Sequence, residues 1–90
     1  MEKIYVYLTR HERHTLDNLC DRGLAYAQLF WNITLPNKMN SSKFTLFRVD
    51  AMEWKDLVNE ETRKFGFLGN CTGSLRRKLT LLYNDIPNSN

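Results

Sequence analysis

The sequence is poor in the residues that staple, punctuate or anchor a chain. Its two cysteines, Cys20 and Cys71, lie far apart and have no CxxC companion. That excludes a dense disulfide framework and a cysteine-rich zinc module, and leaves both thiols as small, reduced apolar residues. There are only two prolines and four glycines, and three of the glycines fall between Gly66 and Gly73. No glycine-rich phosphate loop follows a strand, and neither a GxSxG nor an HExxH pattern occurs. No apolar run approaches the roughly 18 residues a membrane span needs. The N-terminal "MEKIYVY" holds no stretch suited to a secretory signal. No membrane association and a cytoplasmic location are therefore expected. The acceptor patterns at Asn32, Asn40 and Asn70 are chance matches in that setting.

Charge of one sign is also modest: a net +3 permits a polyanionic partner without demanding one. Histidine is confined to His11 and His14, three residues apart within "RHERH". Metal ligands can meet at that spacing, but neither Glu12 nor Cys20 completes a recognisable set. Solvated histidines on an exposed basic helix face are the expectation, with no metal and no cofactor. Asp17, Asp21, Glu60 and Glu61 read likewise as helix-surface charge. No catalytic constellation remains, and the chain is expected not to be an enzyme.

What is present is an ordinary globular composition, 42% hydrophobic and 26% charged, so enough apolar surface exists to offset chain entropy. Ninety residues make one domain. A chain of this size buries only about 60–65% of the surface its unfolded form exposes, and a dimer partner would add burial.

In "KIYVYLTRHERHTLDNLC" the hydrophobic period switches from two to that of a helix. Ile4, Val6 and Leu8 form one strand face, with Lys3, Tyr5, Tyr7 and Thr9 on the other. Thr9 and Glu12 match a capping box that starts a helix near Arg10. Leu16, Leu19, Cys20, Leu24, Ala27 and Phe30 or Trp31 continue its stripe, which Gly23 interrupts. Either one long helix runs through, or two helices meet at "RGLA". Pro36 ends the helical run by Leu35. Residues 1–34 are thus a strand-helix unit, and 35–43 are a connection.

Residues 44–86 form a strand-helix-helix unit. Its strand is "KFTLFRV", and its capping box, Asp50 with Glu53, opens a helix in which Trp54, Leu57, Val58 and Phe65 share a face. A glycine-rich loop begins near Gly66. In "SLRRKLTLLYND", Leu75, Leu79 and Leu82 recur at helical spacing, although "KLTLLY" also allows a strand. Residues 87–90 are a tail expected to fray. Phe30, Trp31, Phe44, Phe47, Trp54, Phe65, Phe67 and Tyr83 supply the core. The fold expected is α+β: one small domain with an N-terminal strand, helices, a second strand and C-terminal helices.

Two local patterns carry a functional expectation. The strand "KIYVYL", the cap Thr9, the apolar Leu16, Leu19 and Cys20, and then "GLAYAQLF" resemble the ribbon-helix-helix family of DNA-binding proteins. That resemblance implies a homodimer whose paired strands enter the major groove. Lys3, Tyr5 and Tyr7 would face the groove, and backbone amides near Leu24 to Tyr26 would meet a phosphate. At the other end, "ETRKFGFLGNCTGSLRRKLTLL" is similar to the Fis-type helix-turn-helix. Gly69 would make the turn there, and Ser74, Arg76, Arg77 and Lys78 would lie on or beside the recognition helix.

The reading that follows is a small dimeric, non-enzymatic nucleic-acid-binding regulator, with DNA favoured over RNA. Its candidate contacts are Lys3, Tyr5, Tyr7, Arg76, Arg77 and Lys78. The alternative is a small protein-binding inhibitor or adaptor, of viral or mobile-element origin, that blocks a host protein. Two strand arrangements stay open: β pairing with a dimer mate, or pairing of "KIYVYL" with "KFTLFRV" in one chain.

Overall fold

A computed structural model describes residues 3–31 and 44–87. The elements run β1 (Lys3–Thr9), α1 (Arg10–Asp21), α2 (Ala25–Trp31), β2 (Phe44–Asp50), α3 (Ala51–Phe65) and α4 (Gly73–Asp85). This is the α+β order read from the sequence. The connection at 35–43, the Asn32 and Asn40 patterns and the last three residues lie outside the described residues.

Each boundary has a local cause. Thr9 stands in extended conformation and its hydroxyl accepts the Glu12 N–H, while the Glu12 carboxylate accepts the Thr9 N–H, so α1 starts on a complete capping box. α1 ends where Gly23 takes the left-handed conformation, at φ +80°. There the Leu24 N–H reaches the Leu19 carbonyl and the Gly23 N–H reaches the Cys20 carbonyl. These are the two bonds of a Schellman turn, and the buried Leu19 and Leu24 supply its apolar contact. The two-helix alternative at "RGLA" is therefore the one formed. Asp50 caps α3 by accepting the Glu53 N–H at 2.9 Å. Gly66, at φ +84°, stops α3. "SLRRKLTLLYND" is helical, not a strand.

β1 and β2 pair antiparallel within the chain, with Ile4 opposite Val49 and Tyr7 opposite Leu46, so the in-chain arrangement is the one observed. Val6 and Leu8 are buried and Ile4 half-buried, as the alternation requires. The helices bring Leu16, Leu19, Leu24, Ala27, Phe30, Val58, Leu75 and Leu79 into one core with them. Each such Leu, Val or Phe contributes about 1.5–3 kcal/mol.

Trp54 sits at the centre, fully buried, edge-on to Phe30 at 5.2 Å and to Tyr83 at 6.4 Å. Phe67 continues the series, edge-on to Tyr83 at 5.1 Å. Lys55, although charged, is buried beneath α4. Its ammonium lies 4.5 Å from the Tyr83 ring centre and donates to the Ile86 carbonyl, fastening the end of α4 to α3.

Three expectations need correction. Phe65 does not share the Trp54 face. It is the last residue of α3, where Gly66 turns the chain, and it stays 59% exposed. Glu61 is not surface charge: it is buried and accepts the Ala25 N–H at 3.0 Å, capping α2 from α3. Glu12 is likewise drawn inside the face "RHERH", where His11 and His14 remain exposed.

Candidate docking groove between β1 and α4

The two ends of the chain that carried separate expectations meet in space. Lys78, on α4, extends to the C-terminal end of β1. Its Nζ donates to Glu12 Oε1 at 2.7 Å and to the Tyr7 carbonyl at 2.8 Å. Glu12 is 2% exposed and its Oε1 also accepts the Thr9 N–H at 2.8 Å. Burial on its own raises the Glu12 pKa. The hydrogen bonds from Lys78, the Thr9 backbone and Ser74, together with the Lys78 charge, outweigh it and hold the carboxyl down at about 2. The capping carboxylate therefore stays ionised, and one ion pair ties together β1, α1 and α4.

Beside this pair runs an open groove of about 360 Å³ lined by Val6, Tyr7, Lys78, Leu81, Leu82 and Asp85. Tyr7 is 53% exposed and Leu81 61% exposed, and both are large apolar side chains. The groove's charged groups are one ammonium already paired with a carboxylate and one exposed carboxylate, Asp85. Such a lining suits apolar contact with a few hydrogen bonds.

The other sequence candidates are spread differently. Arg76 folds back onto the glycine loop. Its Nη1 donates to the Phe67 and Cys71 carbonyls at 3.1 and 3.3 Å, and its guanidinium stands 5.8 Å from the Phe67 ring centre. Arg77 is exposed on α4. Lys3 and Tyr5 take their places on β1, opposite Asp50 and Arg48; their side chains lie outside the described ones.

The start of α2 does not offer its amides to a phosphate. Glu61 takes the Ala25 N–H, and Tyr26 is wholly buried with its hydroxyl donating to the Leu68 carbonyl at 2.8 Å. Gly69 does make the turn between α3 and α4, at φ +55°. Both thiols are quiet. Cys20 donates to the Ala27 carbonyl and Cys71 is buried, and burial pushes each thiol up to about 11.

Leu81 and Asp85 are the functional candidates the sequence reading missed. The signal for Leu81 was available: it is an apolar residue two positions from Leu79, off the inward stripe of Leu75, Leu79 and Leu82. Among the described residues no group of three or more His, Cys, Asp or Glu could hold a metal ion, and no helix is long and apolar enough to cross a membrane. Comparison with protein-family models, with curated proteins and with solved structures finds no match to this chain.

Proposed function

We propose that this chain is a small, non-enzymatic binding protein, an inhibitor or adaptor, whose groove between β1 and α4 docks a segment of another protein. One observation carries the reading. Tyr7 and Leu81 stand exposed on an apolar groove, while Arg76 and Lys78, two of the cations a nucleic-acid site would use, are turned back onto the chain's own carbonyls and carboxylate. Exposed aromatic and aliphatic side chains around a concave surface are the anchors of protein interfaces. The test is affinity capture on the immobilised chain after nuclease treatment, with Leu81→Asp as the paired control. A single stoichiometric protein that Leu81→Asp releases supports the reading. Capture that is unchanged by Leu81→Asp contradicts it.

A second reading, a dimeric DNA-binding regulator, is favoured by the exposed Arg77 on α4, together with the net positive charge. Duplex DNA titrated across salt concentrations checks it. Phosphate engagement requires binding at low salt that weakens steeply as salt rises, and no binding at low salt removes this reading.

A further inference from the structure

The groove has a strand along one wall and a helix along the other, which raises the question of what backbone β1 presents to it. The Tyr7 carbonyl is taken by Lys78 and the Thr9 N–H by Glu12, so both groups point away from β2. In an antiparallel ladder, alternate residues direct both their N–H and C=O to the same side. Lys3, Tyr5 and Tyr7 therefore turn their backbone groups to the outer edge of β1. Among the described residues the sheet has only these two strands, and none of those residues adds a third strand on that edge. The Lys78–Glu12 pair closes the edge at its C-terminal end, as charged side chains do on many edge strands, and leaves the Tyr7 N–H and both backbone groups of Tyr5 beyond it.

We propose that an extended peptide of a partner protein adds as a third strand on the outer edge of β1, its side chains lodged against Leu81 and Leu82 of α4. This rests on the protein-docking reading above and specifies its mode. Added strands of this kind take affinity from main-chain hydrogen bonds and specificity from alternate side-chain pockets. The charges fix the peptide's chemistry. Lys78 has three donors and spends two on Tyr7 and Glu12, so the third meets an acceptor at that end of the groove. Asp85 stands two helical turns further along α4. The occupant is a peptide with apolar residues in alternation, a neutral hydrogen-bond acceptor toward Lys78 and a basic group toward Asp85.

A second copy of β1 fits poorly. Antiparallel pairing about Tyr5 sets each copy's Lys3 at the register position of the other's Tyr7, beside Lys78, and like charges meet there.

The experiment uses the full chain as bait for a displayed library of random heptapeptides. Enriched peptides are then synthesised with single backbone N-methyl groups at successive positions. The proposal expects enrichment of alternating apolar peptides carrying a basic residue at the end that meets Asp85. It expects about tenfold or greater weakening by Leu81→Asp and none by Glu60→Ala, a substitution on the exposed face of α3. It also expects weakening by N-methylation at every second position only, where the N–H faces β1. Peptides that depend on Leu81 but tolerate N-methylation at every position overturn strand addition and leave the protein-docking reading standing. No enrichment by a chain shown to be folded overturns both. A dimer in sedimentation equilibrium that Leu81→Asp dissociates overturns the proposal in favour of the second copy.

Discussion

Glu12 serves one helix end and one ion pair at once, and its pKa makes the consequence measurable. Its folded pKa of about 2 lies below the ordinary glutamate value of 4.5, so its contribution is fully present above about pH 4.5 and disappears as pH falls toward 2. That contribution is on the order of 2–3 kcal/mol. Urea unfolding at pH 7 and at pH 3 should show the wild-type chain losing more stability than Glu12→Gln over this interval. Equal losses would show that the carboxylate is not held by its partners.

Lys78→Met strands the same carboxylate and should cost about 2–3 kcal/mol, below the range for fully buried pairs because Lys78 is partly exposed. At the cysteines, thiols pushed up to about 11 carry roughly a hundredfold less thiolate than an ordinary thiol of pKa 9. Reaction with a disulfide reagent at pH 8 should be slow in the native chain and fast in urea.

Among the elements, the turn between α3 and α4 stores the most local strain. Leu68 adopts φ +57°, a left-handed conformation that costs a non-glycine residue on the order of 1 kcal/mol or more. Its full burial and the hydrogen bond from the Tyr26 hydroxyl to its carbonyl hold it there. Tyr26→Phe should therefore lower stability by about 1–2 kcal/mol in chemical denaturation, since it leaves that buried carbonyl without its donor. Gly69→Ala should cost a similar amount. Its φ of +55° disfavours a side chain, and a Cβ there would lie 3.4 Å from Leu24 Cδ1.

The elements themselves were largely legible in the sequence, because their causes are local. Thr9 and Glu12, Gly23, Asp50 and Gly66 are each read within four residues of what they do. What tied the elements together was not legible. Glu12 meets Lys78 across 66 positions, Tyr26 meets Leu68 across 42, and Ala25 meets Glu61 across 36. No periodicity encodes such pairs. For the same reason "RRK" read as three equivalent cations, whereas packing keeps Arg77 exposed and turns Arg76 and Lys78 inward.

At the scale of the whole molecule, the net charge and the groove make opposing claims about the partner. The +3 charge lies on a surface where exposed arginines such as Arg10, Arg22, Arg63 and Arg77 alternate with exposed acids such as Asp21, Asp56 and Glu60. The groove, by contrast, gathers exposed apolar side chains in one place. Binding driven by that groove should change little with salt, by about threefold or less between 50 and 300 mM. A complex built on six or more phosphate contacts would lose about a thousandfold or more between 50 and 200 mM.

The docking groove is tested most directly by amide chemical-shift mapping on the isotope-labelled chain as a library-selected heptapeptide is added. The account predicts that the largest shifts fall on two segments far apart in sequence, residues 5–8 of β1 and 78–85 of α4, with α3 unmoved. Shifts concentrated instead on Arg10 to His14 or around Arg77, produced by duplex DNA and erased by salt, would contradict it.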